Sequence, residues 1–157
     1  MPTKKIVFLD IDGVISLELE RPGVNGATAY KFSGLDSTRI ERLNEVVNAT
    51  GAKVVVSSSW KKRRTAEQLH DYFVERGFEG EIIDVTPTLD GIGPGQGRGH
   101  EIQYWIYQNW PVDAFVIFDD GYDMVHLMDH LVQTESALGL QPHHVERAKI
   151  LLGEKTS

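Results

Sequence analysis

Ile6-Val7-Phe8-Leu9-Asp10-Ile11-Asp12-Gly13 is a run of apolar β-formers that passes straight into two carboxylates and a glycine. Its apolar part has no polar residue at alternate positions. A strand of that kind is covered on both faces, as inside a parallel sheet. The pattern recurs along the chain. Val54-Val55-Val56 runs into Ser57-Ser58-Ser59-Trp60, and Ala114 to Phe118 runs into Asp119-Asp120-Gly121. Ile82, Ile83 and Val85 predict another strand, and Leu131-Val132-Gln133-Thr134 a last one.

Helical spacing fills the gaps between these runs. Ile40, Leu43, Val46 and Val47 predict a helix from Asp36 to Thr50, stopped by Gly51. Thr65-Ala66-Glu67-Gln68 has the form of a capping box and opens a helix to about Arg76. A third helix runs from about Gly99 to Asn109, and Pro142 starts a fourth that ends near Leu152. Strands that alternate with helices give an α/β fold: a three-layer, Rossmann-like parallel sheet of about five strands. Residues 16–35, with Pro22, Gly23, Gly26 and Gly34, have no clean period and read as an irregular flap or small hairpin. The glycine- and proline-rich stretch 86–99 reads as a loop, and 153–157 as a frayed tail.

Composition sets the outer limits. The 157 residues suit one domain, 1–157, with a substantial core. Sixteen Lys and Arg against 23 Asp and Glu leave a net charge of −7, which excludes a generic nucleic-acid coat. With no cysteine, disulfides, thiolate metal sites and cysteine nucleophiles are excluded. The apolar run Ile6–Leu9 is too short for a signal peptide or a membrane span, so a soluble, cytoplasmic protein is expected.

Ligands of open parallel sheets bind beyond the carboxyl ends of the strands. Asp10 and Asp12, the Ser57–Ser59 hydroxyls, and Asp119, Asp120 and Asp123 all fall there. Asp and Ser after a strand also serve as turn residues and caps. Three such ends converging on one edge point to chemistry instead. Clustered carboxylates repel one another and call for a cation, and an all-oxygen set suits Mg²⁺.

These segments resemble the haloacid dehalogenase-like (HAD) superfamily. Phe8 to Val14 is similar to its first motif, which in the phosphatases reads DxDG(T/V). Ser57 matches the second motif, Arg98 the third, and Asp119-Asp120 the acidic fourth. Asp119 and Asp123 also resemble the GDxxxD form of the fourth motif, with Phe118 in place of its glycine. LDIDGV (9–14), TGAKVVVSSSW (50–60), RGHEIQYW (98–105) and VIFDDGYDM (116–124) resemble, more closely, the HAD domain of Swiss army knife RNA repair proteins and its free-standing bacterial and phage relatives.

The resemblance implies a Mg²⁺-dependent phosphomonoesterase with an aspartyl-phosphate intermediate. Asp10 would be the nucleophile, and Asp12 the general acid and then base. The metal would be held by Asp10, the backbone carbonyl of Asp12, and Asp119, with Asp120 or Asp123 in support. Ser57 or Ser58 would bind the substrate phosphate, Ser57 being the first polar residue after its strand. Arg98, the only Lys or Arg between Arg76 and Arg147, would offset phosphoryl charge. A non-catalytic metal- or phosphate-binding module and a phospho-accepting signalling domain are the alternatives.

Trp60-Lys61-Lys62-Arg63-Arg64 follows the second motif directly. Runs of this kind are usually a solvated face. Beside a phosphate site, this one would form a rim for RNA or DNA ends or nucleotides, with Trp60 stacking a base. No insertion is long enough for a separate cap domain, so the site is expected to be capless, and the chain a monomer or weak dimer. His126 and His130 stand at i, i+4 and would share a helix face. Tyr104, Trp105, Tyr107 and Trp110 are expected to pack in the core.

Overall fold

The protein is described here by a computed structural model covering residues 4–89 and 97–155. The first apolar run becomes β1 (Lys5–Leu9). An antiparallel hairpin, β2 (Ser16–Pro22) and β3 (Thr28–Leu35), leads to α1 (Ser37–Thr50) and β4 (Lys53–Val56). Then come α2 (Ala66–Glu75), β5 (Ile82–Val85), α3 (Arg98–Gln108), β6 (Ala114–Asp119), β7 (Leu131–Gln133) and α4 (Pro142–Leu152). Local chemistry sets the helix ends. Asp36 accepts the Arg39 N–H at 3.0 Å to start α1, and Gly51 closes that helix at φ +79°. Thr65 and Gln68 form the reciprocal capping box of α2.

The five core strands pair in parallel in the order β5-β4-β1-β6-β7. β1 is therefore central, which is why Ile6 to Leu9 have no solvent contact. Val7 and Leu9 face α1, α2 and α4 through Ile40, Leu43, Leu69, Phe73, Val145 and Ala148. Ile6 and Phe8 face α3 through Ile102 and Trp105. From β1 the chain builds outward to β4 and β5, then returns to place β6 and β7 on the other side. The order thus switches direction at β1 and β6, and a crevice opens beyond their carboxyl ends.

Some sequence expectations change. Of the two readings for residues 16–35 the small hairpin holds, with Glu18 opposite Phe32, Glu20 opposite Tyr30 and a register shift between Ser16 and Glu18. Of the four aromatics, only Trp105 is buried; Tyr104 and Tyr107 are exposed because α3 offers the sheet only one face, and Trp110, past the end of the helix, is exposed as well. His126 and His130 lie in a 3-10 turn, so they do not share an α-helical face. The His130 ring instead stacks on Phe115 with centroids 3.8 Å apart. The central part of the predicted 86–99 loop, residues 90–96, and the last two residues of the predicted frayed tail lie outside the described residues.

The start of α3 rests directly on the segment after β6. A Cβ on Gly99 would come within 2.6 Å of the Met124 carbonyl carbon and 2.9 Å of the Asp123 oxygen, both backbone atoms. Gly99→Ala is therefore expected to destabilise the fold by ~1–3 kcal/mol, the usual penalty for overpacking. A fall in the urea midpoint at unchanged m-value would show it; an unchanged midpoint would mean that α3 can slide.

Candidate active site

Sheet hydrogen bonding brings three strand ends side by side. The Asp10 N–H donates to the Phe118 carbonyl at 2.9 Å, and the Ser57 N–H donates to the Leu9 carbonyl at 2.8 Å. The residue after β1 is thus fixed between the end of β6 and the residue after β4. All three side chains are buried: Asp10 is 4% exposed, Asp119 2% and Ser57 1%. The chain then bends at Gly13, whose φ is +86°. A side chain there would be strained and would also strike the Asp120 carboxyl group. The bend lets Asp12 reach the same crevice as Asp10.

Arg98, at the first turn of α3, closes the arrangement. Its Nη1 donates to Asp119 Oδ2 at 2.9 Å and lies 3.2 Å from Asp10 Oδ2. The remaining oxygens of both carboxylates are held by backbone: Asp10 Oδ1 accepts the Ile11 N–H and Asp119 Oδ1 the Gly121 N–H, each at 2.8 Å. Carboxylate oxygens of Asp10, Asp119 and Asp120 lie within 4.8 Å of one another. Burial, with Asp119 beside it, pushes Asp10 up to about 8, although Arg98 opposes the rise. Burial likewise raises Asp119, again against Arg98. Burial works against the Arg98 charge too, yet Asp10 and Asp119 outweigh it and hold its pKa above the ordinary value. Two buried carboxylates with a third close by and one guanidinium leave negative charge over. That donor set, all hard oxygen, fits a small divalent cation such as Mg²⁺.

The other residues singled out in the sequence divide. Asp120 belongs to the cluster, and its Oδ2 accepts a 2.6 Å hydrogen bond from the Ser136 hydroxyl. Asp123 is outside that cluster but lines the cleft beside it, and its Oδ2 lies 3.4 Å from the Arg98 backbone nitrogen. Ser58 Oγ accepts the Trp60 N–H at 3.3 Å and caps the short 3-10 turn Ser59–Lys62. Ser57 Oγ is buried and has no hydrogen-bond partner among the described residues. An orphaned buried hydroxyl is unfavourable and leaves its donor unused. An open cleft of about 350 Å³ lies beside the cluster, lined by Ser58, Lys62, Arg98, Asp119, Asp120 and Asp123 among others.

The basic run splits as well. Lys62, Arg63 and Arg64 are exposed. Lys61 is no free cation: its side chain is 5% exposed and its ammonium pairs with Glu101 at 2.7 Å and with Thr86 Oγ1 at 2.9 Å. Glu101 also accepts the Leu89 N–H at 2.9 Å, so the pair ties the loops after β4 and β5 to α3. Trp60 is half-buried against the core, with Arg64 4.8 Å above its ring and Tyr72 beside it. Its indole N–H donates to Asp12 Oδ1 at 3.2 Å. Glu101 and Ser136 are additions to the residues read from sequence. Glu101 has a local signal, an acid three residues after Arg98 on one helix face; Ser136 has none.

With this geometry in place, the family follows from comparison. A model of the HAD domain in Swiss Army Knife RNA repair proteins matches residues 6–145, and the chain belongs to that family. Comparison with curated proteins and with solved structures finds no match. Among the described residues, no helix is long and apolar enough to cross a membrane.

The raised carboxyls make stability depend on pH. Folded Asp10 holds its proton up to about pH 8, against 3.8 as its ordinary value. Its stabilising contribution is therefore full below the ordinary value and lost as pH rises through about 8. In excess chelator, Asp120→Asn should lessen this loss by removing a neighbouring charge. At pH 8.5 the variant is expected to melt about 2–4 °C above wild type, the effect of ~1 kcal/mol in a chain of this size, with less difference at pH 5. Differential scanning calorimetry at the two pH values checks it; equal melting at pH 8.5 would mean that the cluster carries no strain.

Proposed function

We propose that the protein is a Mg²⁺-dependent phosphomonoesterase that works through an aspartyl-phosphate at Asp10 and acts on terminal phosphates of nucleic acids or on nucleotides. Membership of the HAD domain family of RNA repair proteins supports phosphatase-type chemistry. The observation that carries the reading is the shared Arg98 contact to Asp10 and Asp119, with the orphaned Ser57 hydroxyl beside it. A buried carboxylate to serve as nucleophile, a neutralising cation paired with it and an unused donor at the next strand end are the parts that phosphoryl transfer requires.

Asp10, Asp119 and Asp120 would hold the Mg²⁺, which when bound supplies charge neutralisation for the phosphoryl oxygens and for the carboxylates themselves. An Asp10 carboxylate oxygen attacks phosphorus as the bond to the leaving oxygen breaks, and Asp12 gives its proton to that oxygen. Asp12, now ionised, takes a proton from water as the water attacks the phosphoenzyme. The Asp10–phosphorus ester bond then breaks, and inorganic phosphate and free Asp10 are restored. Burial raises Asp12 above the ordinary carboxylate value, which favours the protonated form needed first, while the Trp60 N–H opposes that rise. Ser57 donates to a phosphoryl oxygen and Arg98 offsets its charge.

The cleft is open, and the exposed Lys62, Arg63 and Arg64 stand next to it in sequence. An open site beside cations admits the end of a polymer, whose trailing phosphates those cations would neutralise.

Asp10→Asn is expected to lower kcat on 4-nitrophenyl phosphate by at least ~10³-fold, since an amide cannot form the acyl phosphate. Wild-type turnover should stop in excess EDTA and return with Mg²⁺ more fully than with Ca²⁺, whose looser coordination aims the carboxylate poorly. Activity of Asp10→Asn near that of wild type would refute the covalent route.

The substrate class has its own test. Each phosphate contact with a single strand contributes about 0.7 to the slope of log affinity against log salt. Replacing Lys62 and Arg63 by Gln is expected to raise KM for a phosphorylated oligonucleotide well above any change for 4-nitrophenyl phosphate, and to flatten its salt dependence. Equal KM changes on both substrates would remove the nucleic-acid reading.

A further inference from the structure

Trp60 reaches from the loop after β4 to the acid–base residue that follows β1. The indole Nε1–H donates to Asp12 Oδ1 at 3.2 Å, across 48 positions of sequence. Among the described residues, no other group donates a hydrogen bond to that carboxyl. The indole is itself fixed. Its backbone N–H is held by Ser58 Oγ at 3.3 Å, in a 3-10 turn tightened by the Lys61 N–H to the Ser58 carbonyl at 3.1 Å. Its ring is packed against the core and against Tyr72, with centroids 6.0 Å apart, and the Arg64 guanidinium lies 4.8 Å over it. A ring clamped in this way is a rigid donor and a poor platform for a substrate base.

We propose that Trp60 is a positioning residue: its indole N–H occupies Asp12 Oδ1, so that Asp12 Oδ2 carries the proton transferred to the leaving oxygen. The proposal rests on the phosphatase reading and deepens it. General acid catalysis depends on the acid lying in line with the oxygen it protonates. A carboxyl group on a short side chain next to a glycine bend has two oxygens and free rotation between them. One fixed hydrogen bond removes that freedom. During phosphoryl transfer to Asp10, the bond from phosphorus to the leaving oxygen breaks while the proton on Oδ2 moves to that oxygen. In the second step the same Oδ2 takes the proton from water.

The test uses the dependence on the leaving group. An alkoxide leaves poorly without a proton, whereas 4-nitrophenolate hardly needs one. Trp60→Phe keeps an aromatic ring for packing and stacking but removes the donor. The ratio of kcat/KM on glycerol 2-phosphate to kcat/KM on 4-nitrophenyl phosphate should fall about tenfold in this variant, the effect of losing one hydrogen bond to an acidic group. KM for a phosphorylated oligonucleotide should rise no more than KM for glycerol 2-phosphate. A second measurement does not depend on turnover. In the ¹H–¹⁵N spectrum of the full chain, the Trp60 indole signal, assigned with Trp60→Phe and Trp110→Phe, should shift in Asp12→Ala while the Trp110 signal stays in place. An active wild type with an unchanged ratio in Trp60→Phe would overturn this proposal alone, as would an indole signal unmoved by Asp12→Ala. A wild type that hydrolyses neither ester would overturn the phosphatase reading, and this proposal with it.

Discussion

Arg98 holds two buried carboxylates from adjacent strand ends with a single guanidinium nitrogen. Without it, Asp10 and Asp119 would be like charges in a poorly solvated crevice, a costly arrangement in any fold. Much else serves to keep that nitrogen in place. The central position of β1 sets Asp10 next to β6. Gly99 lets α3 lie against the Met124 backbone, so the residue just before it reaches the crevice. Lys61 and Glu101 brace the same helix one turn further on. The compensation is incomplete, because burial still holds both carboxyls above their ordinary values. A site left short of positive charge has a donor set suited to a cation.

The parallel ladders do the positioning. Their N–H and carbonyl groups pair Asp10 with β6 and Ser57 with β1, so these side chains need no long loops to bring them together. Rigid strand ends suit a reaction in which nucleophile and acid must keep their geometry through two successive displacements.

How much of this is legible in the sequence depends on how far each cause extends along the chain. β1, β4 and β6 are legible because burial on both faces makes every residue of the run apolar. The capping box at Thr65 and the stop at Gly51 are legible because helix ends are local. Asp10, Ser57, Arg98 and Asp119 are legible as a set, since each lies at or near a predicted element end. The β2–β3 hairpin is blurred by the glycines and proline within 16–35 and by the irregular register between Ser16 and Glu18. The contact of Trp60 with Asp12 is hidden because that partner lies before the hairpin and α1. Lys61 looks like its neighbours until α3 brings Glu101 against it. The exposed Tyr107 and Trp110 show the converse limit: aromatic character alone does not say which side of a helix finds the sheet.

The tight seat of α3 also separates what can change from what cannot. Arg98, Gly99 and Glu101 sit within one helical turn, each engaged with a different part of the molecule. A mutation in that turn disturbs charge balance, backbone packing or loop bracing, according to the residue it touches. Among the described residues, the exposed Lys62 and Arg63 side chains make no hydrogen bond or ion pair. On the phosphatase reading proposed above, the surface segments are where a lineage built on this scaffold would exchange one phosphorylated substrate for another, while the turn that holds the charge balance stays fixed.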